Sequence, residues 1–326
     1  NGGRVLLGSV ASNGFVGLNA NAGGLSLNYD NTPNLGNLEI SNGTVINTTG
    51  IRGGRVELTG ENISIDNGKI YALTLGNIDG ENLDINANTV RVRGGSQLST
   101  VTAGSGRSGA VNIRATDSVE MSGLGPARYR QFVTQFLVAE VIEPFDPAIT
   151  IVSGSNGIGN AGDIVIETGN LLVENGSILT SAARQAGNAG NTIVRANVFD
   201  LAGSAVNSGT LPTSAGTGGD ITFEGERLIV RDGAALVSVT FASGAAGDID
   251  LNAAESVEVL STPDGSPVAT LVGSTTIGEI DSPAGDINID TKRLRIAGGG
   301  GISLSSGTVI GTQLERVTGG PGGNLT

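Results

Sequence analysis

The chain has no cysteine, histidine or tryptophan, one methionine, two lysines and only ten aromatic residues in 326. Without cysteine there is no disulfide framework, thiolate metal site or cysteine nucleophile. Without histidine there is no Ser-His-Asp triad, histidine-ligated zinc or imidazole base. Charged residues make up 15% and the net charge is −13, which argues against nucleic acid as a partner, because phosphate binding needs clustered Lys and Arg. No apolar run approaches the ~18 residues of a membrane-spanning helix. Glycine, by contrast, is abundant at 54 residues, more than twice the usual ~7%. It follows no Gly-X-Y period, which excludes collagen.

What is present is a repeat. Gly-Asp or Gly-Asn followed by alternating apolar residues occurs at Gly162-Asp163, Gly190-Asn191, Gly219-Asp220, Gly247-Asp248, Gly285-Asp286 and Gly323-Asn324, at spacings of 28, 29, 28, 38 and 38. Weaker relatives sit at Gly54, Gly80 and Gly109, and Gly3-Arg4-Val5 resembles one more. The clearest unit has three pieces: Asp163 to Glu167, Leu171 to Val173 after a break at Thr168-Gly169, and Ser177 to Ser181 after an Asn175-Gly176 turn. Period-two alternation bounded by Gly and Asn reads as strand and turn. In the third piece a large inward residue is followed by a small one, and inward Ser and Thr are placed to stack as hydrogen-bonded ladders between units.

Three short strands per ~28 residues predict an all-β fold, a right-handed parallel β-helix in which stacked units bury a continuous narrow core. About eleven turns at ~4.8 Å each give a rod of about 50 Å. The whole of 1–326 reads as one rod, and the absence of capping units at either end reads as a fragment of a longer one. Two stretches depart from the period. Residues 261–278 read as a loop insertion around Pro263 and Pro267. Residues 124–150 read as a helical insertion, because Tyr129, Phe132, Val133, Phe136, Leu137 and Val141 recur at helical spacing. The helix either covers a flank of the rod or offers Tyr129, Phe132, Phe136 and Leu137 to a partner.

Catalytic candidates are few. Asp248/Asp250, Asp286/Asp290 and Glu224/Glu226 are the paired carboxylates, of the kind polysaccharide-active enzymes use, with or without Ca²⁺. The simpler reading is that the first Asp of each unit accepts backbone N–H bonds at a turn. The expectation is therefore no catalytic residues, no metal and no cofactor.

Gly159 to Val173 and Gly218 to Ala234, together with Ser118 to Gly123 and Ser256 to Val259, resemble the repeats of filamentous-haemagglutinin-like exoproteins of the two-partner secretion type, especially the cyanobacterial ones. Gly2 to Gly8 and Gly14 to Leu18 resemble the stretch just after that family's secretion domain. The resemblance implies a secreted, extracellular or cell-surface rod, exported through an outer-membrane transporter partner, acting as an adhesin or fibre component. Cell-surface glycans or proteins are the expected partners, and the uncapped ends favour self-association into fibres. A polysaccharide lyase or hydrolase on the same scaffold, or a stalk for a C-terminal toxin, are the alternatives.

Overall fold

In a computed structural model, residues 2–11, 13–21, 24–30, 34–137, 148–211, 214–241, 243–264, 269–277, 282–310, 313–318 and 323–326 are described. They form long parallel sheets and, among the described residues, a single helix, Pro126–Leu137. Each repeat unit supplies one or two strands to the first of two principal sheets and one to the second, and these strands pair in parallel with their counterparts in the next unit.

The first two pieces of a unit belong to the same sheet. In the central units they run on as one long strand, such as Ile164–Glu174, Thr192–Ala202 and Ile221–Arg231. The strand is creased midway. Ile164 and Ile166 point inward, and so do Leu171 and Val173. The five-residue step from 166 to 171 inverts the period-two parity, which requires a corner between the halves. Where the corner holds one more residue, as at Ala115/Ser118 opposite Thr168/Asn170, the register shifts. The third piece forms the second sheet and closes the core with Leu98, Ile151, Leu179, Val206, Leu236 and Val272. Burying each of these side chains contributes about 1.5–3 kcal/mol before conformational entropy is counted.

Local substitutions in the core compensate one another. Phe199 and Phe223 pack tilted at 6.1 Å between ring centroids. Gly225 stands where neighbouring units carry Ala196 and Ala253, and a Cβ there would collide first with the Ala196 carbonyl oxygen and would also lie 2.8 Å from the Phe223 ring. Thr192 occupies an inward position held by Ile164 and Ile221 in adjoining units. Its hydroxyl meets that of Ser208 at 2.8 Å in the buried core.

The glycine of each Gly-Asp or Gly-Asn pair stacks directly on its predecessor. A Cβ on Gly190, Gly219, Gly247 or Gly285 would stand 2.0–2.2 Å from the carbonyl oxygen of the glycine one unit earlier. The following Asp or Asn then bonds along the stack. Asp163 Oδ1 accepts from Asn191 N, Asn191 Oδ1 from Asp220 N, Asp220 Oδ1 from Asp248 N, Asp248 Oδ1 from Asp286 N and Asp286 Oδ1 from Asn324 N, all at 2.7–3.0 Å. The inward serines do stack, but their bonds go mainly to this glycine corner rather than to each other. Ser181 accepts from Gly190 N and donates to Gly162 O, and Ser238 and Ser274 repeat the pattern with Gly247 and Gly219 and with Gly285 and Gly247.

The first sheet carries nine strands along its main path, and the second carries nine parallel strands. At ~4.8 Å per strand this is about 38 Å, shorter than the eleven turns expected. Two segments account for the difference: Gly17–Asn21 and Gly24–Asn28 form an antiparallel hairpin, and Gln313–Thr318 pairs antiparallel with Gly301–Ile310. The expected loop insertion at 261–278 is narrower too. Leu271–Ile277 is a regular strand in register with Ala235–Thr240. Residues 265–268 and 278 of that stretch lie outside the described residues.

The outward face of the first sheet is charged. Arg114, Glu167, Arg195 and Glu224 occupy equivalent positions on successive strands and pair in sequence at 2.9, 3.2 and 2.9 Å. Nearer the N-terminus, the hydrogen bond from Arg4 holds the Glu81 carboxyl below its ordinary value against the opposing effect of burial, with Arg52 and Arg55 adding charge. A depressed carboxylate contributes stability above its unfolded pKa and loses it as pH falls through the folded value.

Two predictions follow from these contacts. Gly219→Ala should cost about 3 kcal/mol or more in denaturant unfolding, because the obstructing atom is backbone, whereas Gly3→Ala, with nothing within 4 Å, should be close to neutral. Glu81→Gln should flatten the fall of stability with acid below the ordinary Glu range, seen as a smaller wild-type-minus-variant difference at low pH than at neutrality.

Candidate binding groove

The outward face of the second sheet is built differently from that of the first. Its strands from Gln97–Thr102 through Leu271–Ile277 carry no charged residue. Their outward positions align in rows: Ile178, Ala205, Ala235 and Leu271 in one, Val152, Thr180, Asn207 and Val237 in the next. Small and β-branched side chains make this face flat and apolar.

The helix lies against it. Pro126 fits a first helical position, where its missing N–H and fixed φ cost nothing. Gly125, at φ +91°, turns the chain into the helix, and its N–H donates to Asn175 O at 2.7 Å. Gly176 leaves the space that the Tyr129 Cβ fills: a Cβ on Gly176 would stand 2.8 Å from it. Tyr129, Phe132 and Val133 are 4%, 7% and 8% exposed and pack with Ile149, Val152, Ile178, Ala205 and Ala235. The Tyr129 hydroxyl donates toward Ser204 O at 3.1 Å and Gly233 O at 3.3 Å. Burial pushes its pKa far above the ordinary tyrosine value, so the phenol stays a donor.

Of the residues expected to meet a partner, Tyr129 and Phe132 therefore face the chain's own sheet. The side chains of Phe136 and Leu137 lie outside the described residues, as does Val141. The expected insertion at 124–150 contains the helix Pro126–Leu137, and the chain rejoins the second sheet at Ile149.

Helix and sheet do not fill the space between them. A cavity of about 330 Å³ is lined by Tyr129, Phe132 and Val133 and by outward residues from Val101 to Ser305. This volume falls at the lower end of small-molecule pockets. The floor residues Val152, Ile178, Ala205, Asn207, Ala235 and Val237 were not singled out in the sequence. The available signal was the lack of charge in successive third pieces, beside first pieces that all carry it.

Four of the six paired carboxylates have other tasks. Asp248 and Asp286 accept backbone N–H bonds from the next unit. Asp250 accepts from Asn288 Nδ2 at 2.9 Å, and Glu224 pairs with Arg195. Among the described residues no group of three or more His, Cys, Asp or Glu is placed to hold a metal ion.

Fold and groove together define an almost all-β protein of stacked parallel sheets with one apolar flank under a helix. The chain matches no protein-family model, and no curated protein and no solved structure matches it.

Tyr129→Phe should lower stability by about 1–2 kcal/mol, because it removes the donor shared by two carbonyls in a buried setting. Equilibrium unfolding checks this, with no change expected in far-ultraviolet circular dichroism.

Proposed function

We propose that the chain is a right-handed parallel β-helix with three strands per turn, and that it serves as a secreted, cell-surface structural or adhesive rod of the filamentous-haemagglutinin-like two-partner secretion type. The observation that carries this reading is the continuous series of parallel strand pairings from Val56–Thr59 to Ile287–Thr291. It places backbone hydrogen bonds, the glycine corner and the Asp/Asn ladder along one axis, so the chain resists extension and bending in that direction. Its work is mechanical: it spaces and displays loops away from the cell. The charged outward face of the first sheet discourages nonspecific pairing between rods. On this reading the family resemblance implies passage through an outer-membrane transporter, and the proposed partners are glycans or proteins at a cell surface, with self-association as a route to fibres.

The enzyme reading has less support, because most of the paired carboxylates already accept bonds from neighbouring units or from Arg195. A catalytic site in a repeat protein should interrupt the repeat, and these acids are part of it.

Antibodies against the chain should label intact cells of the source organism, and external protease should remove the label. Labelling only after permeabilisation would overturn the surface reading. Release of unsaturated uronate products from acidic polysaccharides by the purified chain, with or without Ca²⁺, would replace it with the lyase.

A further inference from the structure

We infer that the groove beneath the helix is a binding site for a linear alkyl or acyl chain that carries a hydroxyl partway along its length. Three observations lead there. The groove draws its lining from seven successive strands of the second sheet, Gln97–Thr102 to Gly301–Ile310. At ~4.8 Å per strand it runs about 29 Å along the stack. A volume of about 330 Å³ spread over that length suits an extended chain.

The floor is apolar apart from a few groups, and the central one is incompletely satisfied. Asn207 lies on the middle strand of the seven and is 8% exposed. Its Nδ2 donates to Thr180 Oγ1 at 3.3 Å, but its Oδ1 has no hydrogen-bond partner. A buried amide oxygen without a donor is costly, so such groups are normally paired. A hydroxyl on a bound chain supplies the donor at that point, and the methylenes on either side meet Val152, Ala205, Ala235 and Val237.

An extended peptide fits less well. It would bring an N–H and a C=O to bury every ~3.4 Å, and the groove lies on a sheet face whose backbone groups are already paired between strands. Most of the peptide's polar groups would lose water without gaining a partner. An alkyl chain carries no such penalty. This inference stands apart from the surface-rod reading, since a mechanical rod has no need of an internal cavity.

Isothermal titration calorimetry of the 326-residue chain with octadecanoic acid and with its mid-chain hydroxy derivative tests the inference. Both should bind one to one, the hydroxy acid about three- to tenfold more tightly, the worth of one added hydrogen bond. Asn207→Leu should bring the two acids to equal affinity. Ala205→Phe, which fills the floor, should abolish binding of both; circular dichroism and unfolding curves separate this from misfolding, and Asn207→Leu supplies the test if Ala205→Phe does not fold. Failure of both acids to bind the wild-type chain overturns the inference. So does a hydroxy-acid preference that survives Asn207→Leu, or binding of an apolar octapeptide where neither acid binds.

Discussion

The structure depends on one contact, the stacking of backbone on backbone at the glycine corner. There, successive units approach so closely that no side chain fits between them. The approach brings the Asp or Asn carbonyl or carboxylate oxygen within reach of the next unit's amide, and it lets the inward serine bridge two glycines. A larger residue would push the units apart and break all three connections together. The high glycine content therefore reflects rigidity. Flexibility would have been the natural reading of the same composition in a chain without the repeat.

From that contact the two sheet faces diverge. The first sheet turns alternating charge outward, and its arginines and glutamates pair from strand to strand at partly exposed sites, where each pair contributes only tenths of a kcal/mol. Their larger effect is to keep an extended sheet surface wet. The second sheet turns small apolar residues outward and needs cover, which the helix provides through Tyr129, Phe132 and Val133. Cover and floor leave a cavity between them, and the unpaired amide oxygen of Asn207 marks its centre.

Much of this was legible from the residues. The spacing of Gly162, Gly190, Gly219 and Gly247 gave the unit length, and the alternation around Ile164, Leu171 and Leu179 gave the strands and their inward faces. The helix followed from the recurrence of Tyr129, Phe132 and Val133. The acceptor role of Asp220 and Asp248 was readable because a residue in every unit serves the unit. Other features were hidden for physical reasons. Gly17–Asn21 and Gly24–Asn28 alternate like repeat strands but pair with each other, because nothing local distinguishes a hairpin strand from a stacked one. Leu271–Ile277 looked like part of an insertion because the preceding corner is longer, although the strand itself is regular. Serine-to-serine bonding was the obvious guess for stacked hydroxyls, but the glycine amides and carbonyls lie at better bonding distance. The groove was missed because Ala205 and Ala235 announce nothing by themselves. Only their alignment across strands makes a floor.

Native-state hydrogen exchange at the amides of Asn191, Asp220, Asp248 and Asp286 tests most directly whether the corner holds the units together. These amides sit beside side chains that are exposed at Asp220 and Asp248 and half-buried at Asn191 and Asp286, so ordinary turns there would exchange quickly. The stacked corner predicts protection comparable to that of the buried strand amides of Ile164, Ile221 and Ile249, lost only on global unfolding. Fast exchange at the corner with slow exchange in the strands would contradict it, and would mean that the core alone carries the stack.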